Sequence, residues 1–193
     1  MTISLTGFMG CGKSSVGKRL SELLCCSFAD LDTMIEEREG CTVAEIFERS
    51  SEAEFRRIEK EVLTDILCAP GAGTELVLAL GGGAVMTEGS ERLVHEKSLC
   101  IYLRTSVDEL VRRLSSETSG RPLLKSDTST QVPTSVISAE TTALRKRILD
   151  LMSLREHTYS STAHLILDTD SKSIDDIAKE IISAIRVITT DSY

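Results

Sequence analysis

Tryptophan is absent from the 193-residue chain, proline and histidine occur three times each, and aromatic residues make up only 4%. None of the six cysteines, Cys11, Cys25, Cys26, Cys41, Cys68 and Cys100, pairs with another at Cys-x-x-Cys spacing. With so few histidines beside them, they fit the reduced thiols of a cytosolic protein better than a disulfide framework or a zinc site. A basic surplus is missing as well. The chain has 22 Lys and Arg against 30 Asp and Glu, a net charge of −8, which argues against nucleic acid or an anionic membrane as partner but leaves room for a local basic pocket. No apolar run approaches the length of a membrane span. The N-terminus reads straight into a strand rather than a signal or transit peptide. No internal repeat is visible. What is present is a hydrophobic fraction of 41%, mostly Leu, Ile, Val and Ala. That is enough for the core of one cytoplasmic domain spanning 1–193.

Strand and helix patterns alternate along the chain. "ISLTG" reads as a short buried strand, and Val16, Leu20, Leu23 and Leu24 mark one face of a helix from Lys13 to Leu24. "CSFAD" is a second strand. Thr42 precedes Glu45 by three residues, the spacing of a capping box. A longer helix follows, with Phe55, Ile58, Val62 and Ile66 as its stripe. "ELVLALGGG", "SLCIYLR" and "AHLILDT" are further strands; a helix through Leu110 and Leu114 follows the second of these, and an amphipathic helix over Ile174, Ile177, Ala178, Ile181 and Ile185 closes the chain. This alternation predicts a parallel sheet with helices on both faces. One segment breaks the pattern: residues 115–138 hold 11 Ser or Thr and two of the three prolines, with "GRPLLK" embedded. It is too long for an ordinary connection and reads as a disordered insert or a moving lid.

"GFMGCGKSS" follows the first strand and matches Gly-x-x-x-x-Gly-Lys-Ser at Gly7, Gly12, Lys13 and Ser14. Glycines let the backbone curl so that several N–H groups face one spot, and the next helix adds its positive end there. Lys13 then reaches the β- and γ-phosphates of a nucleotide, and the Ser14 hydroxyl can ligate Mg²⁺. A plain glycine-rich turn with a surface lysine is the alternative, but the strand before and the helix after favour a phosphate loop. Four more features allow two readings each. Asp30 and Asp32, at the end of the second strand, point the same way if the backbone is extended and then sit near the phosphate loop; Asp32 could equally cap a helix. Arg56 lies about 100° round from Phe55, in the site or in a solvated ion pair. The run Gly81, Gly82, Gly83 allows close approach to a ligand or simply a tight turn. Arg155 continues the stripe of Leu144, Ile148 and Leu151, so it needs a partner, either a bound anion or a structural carboxylate.

In order, "GFMGCGKSSVGK", "FADLD", "IFERSSEAEFRRIE", "LALGGGAV", "RPLL" and "REHTY" resemble the shikimate kinase family over nearly the whole chain. The resemblance implies a P-loop three-layer α/β/α fold like that of nucleoside monophosphate kinases, with a five-stranded parallel sheet in order 2-3-1-4-5. It implies transfer of the γ-phosphoryl group of ATP, as its Mg²⁺ complex, to the 3-hydroxyl of shikimate, in the chorismate pathway to aromatic amino acids. Gly10, Cys11, Gly12, Lys13, Ser14 and Ser15 then hold ATP, with Arg113 (or Arg112) and Lys172 as candidates near adenine. Asp32, Arg56, Gly81, Gly82, Gly83 and Arg155 contact shikimate. Ser14 and Asp30 serve the magnesium, and Lys13, Asp32 and Arg121 carry catalysis. Arg121 is the arginine of a lid at about 115–138, and the substrate-binding subregion covers about 31–62. The expected enzyme is a monomer whose partners are shikimate and ATP. Two departures stand out: Ser51-Glu52 where the family often has Gly-Glu, and a long segment between "RPLL" and "REHTY". A gluconate kinase shares the architecture, but lacks the ordered "FADLD", "EFRR" and "GGGAV" set. A non-catalytic nucleotide switch would not need an inward Arg155.

Overall fold

A computed structural model describes residues 1–68, 75–118 and 134–190. Five strands, β1 (Thr2–Thr6), β2 (Ser27–Asp30), β3 (Leu76–Ala79), β4 (Leu99–Arg104) and β5 (Leu165–Asp168), form one parallel sheet in the order β2-β3-β1-β4-β5. The predicted architecture is therefore found. β1 is central and buried along its full length. "TISLT" alternates polar and apolar residues, yet Thr2, Ser4 and Thr6 are as buried as Ile3 and Leu5, because a parallel strand is covered on both faces.

Right-handed crossovers fix where the helices lie. The chain leaves β1 toward one edge through α1 (Lys13–Leu24), then works back across the sheet through α2 (Leu31–Glu39), α3 (Val43–Arg49), α4 (Glu52–Cys68), α5 (Ser90–Lys97), α6 (Val107–Thr118) and α7 (Thr134–Thr162). α1 and α8 (Ile174–Thr190) pack on each other, while α4, α5 and α7 form a second set in contact through α5. The reversal of direction between β1 and β3 makes the switch point at which a sheet of this kind opens a crevice. Register brings the strand ends level there: Asp30 pairs with Ala79 and Ala79 with Leu5. The residues that follow, Gly7 onward and Gly81 onward, leave the same sheet edge.

Local chemistry explains most boundaries. Thr42 caps α3 in a complete capping box with Glu45. One sequence expectation needs correction. Asp30 and Asp32 are not both in extended backbone, because α2 starts at Leu31: Asp30 is the N-cap, its Oδ1 accepting from the Asp32 N–H at 3.1 Å, and Asp32 sits in the first helical turn. Asp30 has the better capping position because its carboxylate can fold back over free N–H groups, which Asp32 inside the turn cannot do. Helical backbone also enters both ends of the Ser/Thr-rich segment, α6 through Thr118 and α7 from Thr134. The rest of the expected lid, with Arg121, lies outside the described residues. Among those residues no helix is long and apolar enough to cross a membrane.

Candidate active site

The loop after β1 turns on three glycines with positive φ: Gly7 (143°), Gly10 (80°) and Gly12 (98°). Gly7 has a steric reason too, since a Cβ there would stand 2.7 Å from the Leu103 carbonyl oxygen. Buried Cys11 fills the space under the loop. Gly12 caps α1 without a side chain, and no acidic residue occupies the first turn, so the positive helix end faces the loop without a resident counter-charge. Lys13 Nζ donates to the carbonyls of Gly7 (2.9 Å) and Phe8 (3.0 Å). Ser14 Oγ donates to Asp30 Oδ2 at 2.5 Å, so the P-loop hydroxyl and the β2 carboxylate meet. Lys13, Ser14, Asp30, Asp32, Gly81 and Gly82 line one cleft of about 390 Å³.

Asp32 is exposed at the rim, but its carboxyl reaches down to the glycine run, where a Cβ on Gly81 would meet its Oδ1 at 2.8 Å. Partial desolvation, then the like charge of Asp30, push its pKa above the ordinary carboxylate value against the pull of Lys13. Asp30 and Asp32 thus divide the work, one serving as cap and hydroxyl partner, the other as a carboxyl with raised proton affinity.

Beyond Gly81–Gly83 lies a second cavity of about 570 Å³, lined by both Arg56 and Arg155. Arg56 leaves α4 and lies flat over the glycine backbone: a Cβ on Gly83 would be 2.5–2.7 Å from its guanidinium. It pairs with Glu59 at 2.6 Å and Glu52 at 3.4 Å. Arg56 is thus ion-paired, and it also faces the cavity. Arg155 Nη1 approaches the Gly82 carbonyl at 3.4 Å. Glu59, 1% exposed, has its pKa raised by burial, opposed by the Arg56 hydrogen bond and charge.

On the other side of the phosphate loop, Gly10, Gly12, Ser15, Arg112, Arg113 and Lys172 line a cavity of about 740 Å³. Arg113 is held in place by Glu109 (2.7 Å) and by the carbonyls of Cys11 (3.1 Å) and Thr169 (3.2 Å). Lys172 pairs with Glu180 at 2.6 Å. Glu59, Glu109 and Tyr159 escaped the sequence reading, although each had a signal. Glu59 and Glu109 stand three and four residues from arginines on their helices, and Tyr159 continues the Arg155 stripe by one turn.

A phosphate loop on the central strand, a hydroxyl and a carboxylate beside its lysine, and a second cavity across a glycine run define the class: this is an ATP-dependent P-loop kinase. The family model for shikimate kinase matches residues 9–186. A shikimate kinase of Geobacter sulfurreducens is 37% identical over 184 residues, covering 95% of this chain and 90% of that protein. Among solved structures, the shikimate kinase of Acinetobacter baumannii in complex with shikimate aligns with a TM-score of 0.78 at 31% identity, covering 96% of this chain and 93% of that one. A gluconokinase from Sinorhizobium meliloti, at 15% identity and a TM-score of 0.54, shares the fold alone. The chain belongs to the shikimate kinase family.

Proposed function

We propose that this site carries out phosphoryl transfer from ATP to the 3-hydroxyl of shikimate, with the acceptor lying across Gly81–Gly83. The observation that carries this reading is the convergence of Arg56 and Arg155 on one cavity beside Asp32 and the phosphate loop. Two guanidinium groups suit a carboxylate, which they can grip in forked geometry. Asp32 then orients the attacking hydroxyl and accepts its proton as the bond to the γ-phosphorus forms and the bond to the β,γ-bridging oxygen breaks. Its raised proton affinity suits a base that must take up a proton and release it again. Lys13 and the α1 N-terminus stabilise the phosphate charge, which is most of what catalysis demands in this chemistry.

Ser14 Oγ and Asp30 Oδ2 are hard oxygen donors held 2.5 Å apart, a pair that fits Mg²⁺. Among the described residues no group of three or more His, Cys, Asp or Glu is placed to hold a metal, which fits an ion completed by phosphate and water oxygens. When bound, Mg²⁺ supplies charge neutralisation at the phosphates. The cavity of Arg112, Arg113 and Lys172 takes the adenine end. The same reading makes the protein a monomeric cytoplasmic enzyme of one domain, in keeping with six free cysteines. An ADP-release assay tests the reaction: release should require shikimate and Mg²⁺. Release indifferent to shikimate, or equal with gluconate, would overturn it.

A further inference from the structure

Two tyrosines lie side by side beneath the acceptor cleft. Tyr102 on β4 is 1% exposed and Tyr159 on α7 is 0% exposed. Their ring centroids are 5.2 Å apart and the planes are tilted by 33°. Their hydroxyl groups fare differently. That of Tyr102 has no hydrogen-bond partner among the described residues. That of Tyr159 donates to the Gly82 carbonyl, in the middle of the glycine run.

This carbonyl is a junction. Arg155, one helical turn before Tyr159 on the same face of α7, approaches it with Nη1 at 3.4 Å. On one side of Gly82, Gly81 abuts the carboxyl groups of Asp32 and Glu59; on the other, Gly83 abuts the guanidinium of Arg56. α2, α4 and α7 contribute the three proposed acceptor-binding side chains, and all three meet this one stretch of backbone. A glycine run has no side chains of its own to fix its peptide planes. The Tyr159 hydroxyl supplies a fixed donor for the central plane.

We infer that Tyr159 is a positioning residue of the acceptor site: its hydroxyl pins α7 to the Gly82 carbonyl and so sets Arg155 relative to Arg56 and Asp32. The inference rests on the shikimate reading above. Burial pushes the phenol up to about 12, so it remains a donor throughout the pH range in which a kinase works. Burial of the ring does not by itself demand a partner for the hydroxyl: Tyr102 is equally buried, and its hydroxyl has none among the described residues.

The test is a pair of one-atom deletions, Tyr159→Phe and Tyr102→Phe, each assayed for KM of shikimate, KM of ATP and affinity for ADP. Removing the Tyr159 hydroxyl should raise KM for shikimate about tenfold and leave KM for ATP within about twofold, as expected for loss of one buried hydrogen bond felt at one substrate only. Tyr102→Phe should leave both KM values unchanged. An unchanged KM for shikimate in Tyr159→Phe overturns the inference. So does a Tyr159→Phe chain that fails to fold or loses ADP binding, since the hydroxyl then belongs to the fold. An equal rise in Tyr102→Phe also overturns it, by making the effect a general one of core packing. Parent protein that releases ADP without regard to shikimate removes the functional reading, and this inference with it; parent protein that requires shikimate confines any failure to Tyr159.

Discussion

Replacing Gly83 by alanine adds one carbon where the proposed acceptor site has no room. The backbone there has φ −115° and ψ −3°, which alanine adopts without the left-handed penalty, so the perturbation is purely one of contact. The new Cβ would lie 2.5 Å and 2.6 Å from the two terminal guanidinium nitrogens of Arg56 and 2.7 Å from the carbon between them. Restoring an ordinary contact of 3.4 Å moves the guanidinium by about 1 Å. The guanidinium is the free end of a long side chain, so it moves rather than the backbone, and it departs from the geometry that Glu59 fixes at 2.6 Å. Losing a charge-assisted contact to a carboxylate costs about 1.5–3 kcal/mol, a fall of roughly 10- to 150-fold in shikimate affinity. Gly→Ala at a compatible backbone position gains about 0.4–1 kcal/mol through the unfolded state, which offsets part of the strain. Thermal stability should therefore change little. Calorimetric titration of shikimate in the presence of ADP reads the affinity, and a melting curve on the same sample reads the fold. A dissociation constant within about threefold of the parent's, a difference of only about 0.7 kcal/mol, would refute the placement of Arg56 on the acceptor.

Asp32→Asn should keep the fold and ADP affinity while turnover drops about 10²- to 10⁴-fold, the usual cost of removing a general base; single-turnover rates within about threefold of the parent would leave Asp32 only its place in the first turn of α2. Because burial and Asp30 raise the Asp32 pKa, the acid limb of the parent's kcat profile should lie above the ordinary carboxylate range, activity rising with pH as Asp32 loses its proton, and a limb at the ordinary value would speak against it. Arg155→Leu continues the apolar stripe of α7 and should weaken shikimate binding by about 1.5–3 kcal/mol with ATP affinity unchanged, which equilibrium titration of each ligand would check. Glu109 has its pKa lowered from 4.5 to about 2, chiefly by hydrogen bonding to Arg112 and then to Arg113. Its stabilising contribution is complete above the unfolded value and is lost as pH falls from about 4.5 toward 2; melting temperatures of Glu109→Gln against the parent should converge over that interval, and a constant gap would refute the linkage.

The sheet was legible because its signals are local. Apolar runs ended in glycine or aspartate, and a lysine–serine pair opened a helix. The capping box at Thr42 and Glu45 needed only four residues to read. α5 was harder: Gly89 and Ser90 open it, but its eight residues carry few apolar positions. The long stripe of α4 was read correctly at Phe55, Ile58 and Val62, but Ile66 is only partly buried while Leu63 and Leu67 are fully covered. The stripe drifts because a 3.6-residue turn does not keep one strict spacing over 17 residues. The cleft lay beyond local signals for a different reason. Arg56 and Arg155 came together in the sequence only through the family resemblance, because their helices α4 and α7 are far apart in the chain and are joined in space through α5 and the short helical turn at Ala84–Met86. The exchange of roles between Asp30 and Asp32 turned on where α2 begins, and a one-residue boundary is the least certain thing a sequence pattern can give.

Glu59 has a consequence for which anions the acceptor cavity accepts. The two arginines bring two positive charges, and Arg56 is paired both with buried Glu59 at 2.6 Å and with the largely exposed Glu52 at 3.4 Å. The charge of Arg56 is therefore offset within the cavity wall, and Arg155 carries the positive charge left to meet one carboxylate. A cavity with both arginines bare would attract polyanions more strongly than monoanions, and ATP supplies the nearest polyphosphate in the molecule. With the two carboxylates in place, a phosphate dianion entering the cavity meets less countercharge than it requires and carboxylates that repel it, while a monocarboxylate makes the smaller demand. On the proposed reading, this keeps the two halves of the cleft chemically distinct: triphosphate is drawn to the loop after β1, and the neighbouring cavity is left to the acceptor.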